Sequence, residues 1–479
     1  VPEEPVSFAD GQSSLEELSG ASPALVNFLV DAGNALHQRP GITTWADFPA
    51  TVPDASAVIG IYAWRQFIIY VTADRRIWCW EGSGNVVALS SATDTTTQLD
   101  GTARPVFAYD TARVVITGGG AAQKWEGSGL SARLGGSPPN ATHIAYNEQR
   151  LVINANDNSG IIYWTPPGVG NHEIWDTTGD GSAELAGAGF SEAEAAPDPV
   201  VALYANSNEV FAFGTQTTQV FAGDPSGFVV VASVGIGNSA PYSIIDTDAS
   251  FAWLDEHRRF VYSSGRDFQV LSSPTMAKSI GEIATVSDCW GVRIRIGSYD
   301  LLVWQFPTEG RTLWYDRDSK KWGEWRSFDG AKWIPWIVQS YFYWPDQNLH
   351  LVGLSDGRIA VLTFDAFLDD VHPIKAVSRT GFHDRGTLVR KQCNRIQAQL
   401  KRGATVPTAT APTVELRYRD DLGAFKQAKA LSLGAGDYQP VIDAWAVGMY
   451  RQRQWEITFI DNAEFVLTQA KETFTPAES

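Results

Sequence analysis

The chain has 479 residues, of which 37 are Lys or Arg and 54 Asp or Glu, giving a formal net charge of −17. A surface that negative repels DNA phosphates and argues against general nucleic-acid affinity. Hydrophobic residues make up 44% and aromatics 12%, with 18 Trp and 43 Gly, a composition suited to a large core of strands joined by many turns.

Residues 1–22 are polar and acidic, with a short helical pattern around Leu15–Leu18. The stretch Val26–Ile42 then reads as a strand closed by the Pro40-Gly41 turn. Residues 1–50 are therefore expected to form an N-terminal arm and a leading strand.

Next comes a repeat. The pentapeptide Trp-Glu-Gly-Ser-Gly occurs at Trp80–Gly84 and again at Trp125–Gly129, 45 residues apart. Each copy ends a unit of short apolar strands and a tight turn: Ile61–Tyr70 with Arg76–Trp80, then Phe107–Ile116 with Gln123–Trp125. A period in the ~40–50 residue range built of short strands is the signature of a β-propeller blade. Five further units follow, closing near Trp164, Phe221, Val270, Trp314 and Val361. Within the units, alternation of apolar and polar residues predicts half-buried antiparallel strands. The expectation is an all-β chain with a single β-propeller of about six or seven blades over residues 51–371.

One stretch breaks the period. Residues 166–199 carry Glu173, Asp176, Asp180, Glu184, Glu192, Glu194 and Asp198 and no Lys or Arg. This predicts an inserted, solvated acidic loop, a candidate gate or lining of a channel. Past residue 372, Arg390–Arg402, Thr413–Tyr418, Trp455–Ile460 and Glu464–Ala470 are strand patterns around a Thr/Pro/Ala connector at Ala404–Pro412. Residues 372–479 are expected to form a separate C-terminal β-sandwich-like domain.

Chemistry-bearing patterns are sparse. Cys79, Cys289 and Cys393 are odd in number and far apart, so they form neither a disulfide framework nor a zinc spacing and read as free thiols in a reducing compartment. No apolar run is long enough to span a bilayer, and no signal peptide is visible. Asp176-Thr-Thr-Gly-Asp-Gly places carboxylates by a glycine but lacks the oxygen spacing of a calcium loop, so a solvated turn is the better reading. Arg419-Asp-Asp-Leu-Gly-Ala-Phe is similar to the aspartate box of sialidase propellers, itself a structural turn. The seven histidines show no ligand spacing, and His143 and His257 read as residues of blade turns. No catalytic, cofactor-binding or metal-binding residue is selected.

One charge cluster stands out: Lys375, Arg379, Arg385, Arg390, Lys391, Arg395, Lys401 and Arg402 face a single acid, Asp384. It reads as a solvated strand face, as a docking surface for an acidic protein neighbour or the next copy of this chain, or, third, as a DNA contact.

Four segments in order resemble one family, the packaged-DNA stabilisation or tail hub (nozzle) proteins of short-tailed bacteriophages. They are Val26-Asn-Phe…Arg39-Pro-Gly-Ile42; Phe211–Phe221, with Gln219 where the family carries Glu; Tyr315-Asp…Trp322-Gly-Glu-Trp325; and Leu416–Gly423 followed by Leu433, Tyr438, Trp445, Gly448, Arg451 and Trp455. Arg419 and Leu422 depart from the family's turn. The resemblance implies a structural virion protein of the tail, made in the host cytoplasm, and not an enzyme. It implies a ring of six copies below the head-to-tail adaptor ring, with tailspike, fibre or needle proteins attached. The ring would retain packaged DNA and contact it transiently as it leaves, with no cofactor and no membrane insertion. Two other readings remain at this stage: a propeller hydrolase or lyase acting on host surface polysaccharide, and a generic propeller interaction scaffold.

Overall fold

The computed structural model describes residues 3–11, 23–49, 54–82, 84–177, 187–193, 198–225, 227–248, 250–401, 412–432 and 441–477. The short helical pattern expected around Leu15–Leu18 lies outside them.

Seven four-stranded antiparallel arrays are arranged as the blades of a propeller. Their inner strands are Val58–Trp64, Val106–Tyr109, Ile144–Asn147, Ala202–Asn206, Ile245–Asp246, Trp290–Ile296 and Val338–Trp344. Six blades are each made of four consecutive strands. The seventh has three consecutive strands and takes its fourth, Gly41–Thr44, from near the start of the chain, with Val361 opposite Thr43 and Leu362 opposite Ile42. This closure joins the two ends of the propeller.

Each pair of neighbouring blades encloses a buried apolar cluster, the one between the sixth and seventh running on into the sandwich core. The strand Phe67–Thr72 shows how one sequence serves two clusters. Ile68 and Tyr70 face the seventh blade, where Trp344 and Leu351 pack, while Ile69 and Val71 face Val114, Ile116 and Trp125 of the second. Alternate side chains point to opposite faces of a strand. The strand is therefore buried on both faces, not half-buried as its pattern was read. Such burial requires the near-continuous apolar run it carries. The two repeated pentapeptides mark equivalent places. Trp80 packs against Trp45 and Trp344, with ring centroids 4.7 and 5.7 Å away. Trp125 packs against Trp64 at 5.7 Å. Each tryptophan looks back toward the preceding blade. Gly82, Gly84, Gly127 and Gly129 then turn the chain at positive φ.

The helix Pro274–Gly281 was not foreseen. Ser273 caps it by accepting from the Met276 N–H, and Pro274 opens it. Met276 and Ile280, one turn apart, bury between the fifth and sixth blades.

Beside the propeller, two sheets pack face to face. One contains Phe28–Val30, Leu36–Gln38, Val466–Pro476, Lys391–Lys401 and Val441–Trp445, with Glu3–Pro5 on its flank. The other contains Ala24–Val26, Ala376–Arg379, Arg453–Phe459, Thr413–Asp420 and Lys426–Ser432. Ile396, Ala398, Leu416, Trp455, Ile457 and Phe465 fill the space between them. This is the sandwich expected at the C-terminus, but strands from the first 50 residues complete it. The described part of residues 1–50 is thus divided between the sandwich and the seventh blade and is not a free arm. Ala24–Val26 also pairs with the outer strand of the sixth blade, at Glu324, so the sheet runs unbroken from propeller to sandwich.

Candidate functional site: charged segments and exposed edges

The acidic stretch at 166–199 was expected to be one solvated loop; its described part is anchored at both ends and contains a blade strand. Gly189–Glu192 is the outer strand of the third blade, paired with Ile161–Trp164. Trp175 is buried between the second and third blades. Upstream, Glu173 bonds Lys124 and, at 2.7 Å, Arg113 of the second blade. Burial pushes this carboxyl up, but the two cations hold it below its usual value. Asp176 is buried and Glu192 exposed. Downstream, Asp198 accepts the N–H groups of Thr215, Gln216 and Thr217 at 2.7, 2.8 and 2.9 Å. These bonds fix a turn of the fourth blade. Asp180, Glu184 and Glu194 lie outside the described residues.

The basic cluster at 375–402 is not brought together as one patch. Arg379 is buried against Glu456 at 2.6 Å, and burial lowers its pKa. Arg385 bonds Glu472 at 2.8 Å and the Pro5 carbonyl at 2.9 Å, tying the first residues to the last strand. Lys391 is buried and donates to the carbonyls of Thr387 and Val389. Arg395 pairs with Asp443 at 2.6 Å. Lys375 lies over the rings of Phe328 and Trp333. Arg390 is exposed. Lys401 ends a strand, and Arg402 lies outside the described residues. On the strand Lys391–Lys401, Arg395 is paired with the neighbouring strand of its own sheet and Lys391 with the turn just before it, a register that a single sequence does not display.

The Arg419–Gly423 motif is a tight turn: the Gly423 N–H donates to the Asp420 carbonyl at 2.7 Å, and Asp420 also bonds Arg453. His257 is exposed, whereas His143, in the connection that leads into the third blade, is buried against Tyr242. The three cysteines are free and buried.

Two exposed apolar areas were not anticipated. The first runs along the outer strands of neighbouring blades: Phe190 on the third, Val229, Val230 and Val231 on the fourth, and Val270 on the fifth. In the fourth blade Val220 opposes Ala232 while Phe221 opposes Val230. Val231 is therefore a bulged residue, and three consecutive valines reach solvent on an edge that carries no charged residue between Gly227 and Val234. The second gathers at one end of the sandwich. Trp445 is 65% exposed. Met449 and Tyr450 pair with Gln392 and Lys391, and exposed Leu388 and Val389 lead into that strand. Exposed Leu422 sits in the adjoining turn, where Asp421 accepts the Gln452 N–H. Three valines in a row, and a tryptophan at the end of a strand, were the available signals for the two areas.

Among solved structures the chain is similar to BamB from Moraxella catarrhalis at 10% identity, covering 76% of this chain and 97% of that one with a TM-score of 0.39. It is similar to the BBS1N chain in complex with ARL6DN at 10% identity, covering 68% and 97% with a TM-score of 0.42. The computationally designed Ika8 protein aligns at 13% identity over 66% and 100% with a TM-score of 0.37. No curated protein sequence matches the chain. A family model described as "Bacteriophage P22 Gp10, beta-propeller" matches residues 79–328, from the third strand of the first blade to just past the sixth. That match spans just over half of the chain, which belongs to this family of phage packaged-DNA stabilisation proteins of the virion tail.

Proposed function

We propose that this chain is the subunit of a tail nozzle: a ring of six copies below the head-to-tail adaptor ring, which retains packaged DNA and forms its exit channel during ejection. The observation that carries the reading is the family match over residues 79–328. Three features of the molecule support it. Strands from both ends of the chain lock propeller and sandwich together, which suits a rigid wedge. The two exposed apolar areas lie on different parts of the fold, one on the propeller and one on the sandwich. The sandwich joins the sixth blade, and the valine edge sits on the fourth with flanking apolar residues on the third and fifth. Two unlike patches are what a head-to-tail ring needs, because each copy meets its neighbour through different surfaces. The net charge of −17 favours a wall along which DNA slides, since few cations are available to neutralise phosphates. Tailspike, fibre or needle proteins attach to the same ring in this reading.

The test is a phage lacking this protein. Its particles are expected to package DNA and then lose it, so that the DNA becomes sensitive to nuclease, and adding purified protein to freshly filled particles should restore retention. Particles that keep their DNA as well as the wild type would overturn the reading.

A further inference from the structure

Inner strands of six blades, with His143 just ahead of the third blade's inner strand, surround an axial cavity of about 320 Å³. Its walls are aromatic, with Tyr62, Tyr242, Trp290 and Tyr341 among the lining residues. One lining residue is a cation. Arg104, just ahead of the second blade's inner strand, has its guanidinium carbon over Trp290, 4.1 Å from the ring centroid. It donates one hydrogen bond, from Nη2 to the Gln339 carbonyl at 2.6 Å. Burial pulls its pKa down to about 10, and no carboxylate is among the groups acting on it. A guanidinium presents five N–H donors in a planar fork. Here the fork has a neutral carbonyl and an indole face for company and no counter-ion among the described residues.

The other titratable groups around the cavity do not supply that counter-ion. His143 also lines it; burial lowers its pKa to about 4, so it is neutral at pH 7. Tyr242 is held protonated by burial. Asp246 lines the cavity but is exposed, and it accepts the Tyr204 hydroxyl at 2.8 Å. Arg75 adds a second positive charge near Tyr242 and bonds the Ala103 carbonyl at 2.6 Å.

We propose that this cavity is a binding site for a carboxylate on an acidic polypeptide segment, held in a bidentate pair by Arg104 with an adjoining apolar side chain among the tyrosines. A single guanidinium can offer one N–H to each oxygen of a carboxylate. The aromatic walls beside Arg104 suit an apolar side chain next to the carboxylate, which a phosphodiester strand does not offer. The carboxylate belongs either to a chain end or to an acidic side chain, and the experiment separates the two.

Calorimetric titration of the full-length protein tests the site with N-acetylphenylalanine, which carries an α-carboxylate, and with N-acetylglutamyl-phenylalaninamide, which carries a side-chain carboxylate. N-acetylphenylalaninamide and inorganic phosphate serve as comparisons. At least one carboxylate probe is expected to bind about tenfold or more tightly than the neutral amide, a difference in keeping with a charge-assisted bidentate bond. The tighter of the two identifies the source. Arg104→Gln should abolish the preference, and Arg104→Lys, which keeps the charge and loses the fork, should weaken it. The comparison of acid with amide uses the unaltered protein, so it decides even if Arg104→Gln does not fold. No binding by either acid, equal binding of acid and amide, or tighter binding of phosphate would each overturn the proposal, as would undiminished binding by folded Arg104→Gln.

Discussion

Arg39 is fully buried and ion-paired to Asp369, whose side chain is equally buried. Its Nε donates to Asn27 Oδ1 at 2.9 Å, and Asp369 also accepts the Ser327 hydroxyl at 2.6 Å. Asn27, at a φ of 57°, uses its whole hydrogen-bonding capacity: Oδ1 also accepts the Arg326 N–H, and Nδ2 donates to the carbonyls of Arg326 and Lys375. This one node joins the first 40 residues, the connection after the sixth blade and the start of the sandwich. It also gives a physical reason for the Val26-Asn-Phe…Arg39-Pro-Gly motif, which looked like a plain strand and turn. Removing one partner of a buried pair leaves the other charge without compensation. Arg39→Met is therefore expected to lower unfolding stability by about 3–5 kcal/mol, and the double variant Arg39→Met with Asp369→Leu by clearly less. Urea denaturation of the two proteins measures the difference. A double variant no more stable than Arg39→Met would show that the pair's charge is not what matters.

The strand Gly41–Thr44 completes the seventh blade, and Gly41 is its tightest point. A Cβ there would lie 2.5 Å from the carbonyl oxygens of both Ala366 and Leu368. Both obstacles are backbone, so no side chain can swing aside. Gly41→Ala is expected to cost at least about 1–3 kcal/mol, the usual range for overpacking. It should also speed amide hydrogen exchange in Ile359–Thr363, the strand it pairs with, before exchange in the first six blades. Uniform exchange across all blades would argue against a local clasp. The same strand marks the limit of what one sequence reveals. The inner and middle strands of the first four blades were legible because each pair is a local hairpin with its apolar runs and turn close in the chain, whereas the inner strands of the last three, Ile245–Asp246, Trp290–Ile296 and Val338–Trp344, were not picked out. The closure by Gly41–Thr44, the pairing of Ala24–Val26 with Trp322–Trp325, and the sandwich register of Lys391–Lys401 with Val466–Pro476 all join distant segments. Nothing in either partner alone specifies the match. The basic cluster was misleading for that reason: Arg379, Arg385 and Arg395 find their acids at Glu456, Glu472 and Asp443, far along the chain. The axial Arg104 gave no sequence signal, because only ring closure brings it beside Trp290.

At the scale of the whole molecule, the proposed ring makes a demand that a symmetric dimer would not. If the valine edge of the fourth blade on one copy meets the Trp445 end of the sandwich on the next, each subunit carries one of each surface and the contact is heterologous. Both side chains are exposed, so placing a charge on either should leave the fold intact and disrupt only association. Val230→Asp alone and Trp445→Asp alone are then each expected to be monomers under conditions where the parent forms rings. A mixture of the two is more informative. The Trp445→Asp subunit keeps an intact valine edge, and the Val230→Asp subunit keeps an intact sandwich end. One productive contact can form between them, and no third subunit can add. Analytical ultracentrifugation of the equimolar mixture should therefore show dimers and nothing larger. Two-fold symmetric pairing of like patches would instead let one of the single variants dimerise by itself. Rings formed by either variant would show that these surfaces do not hold the assembly.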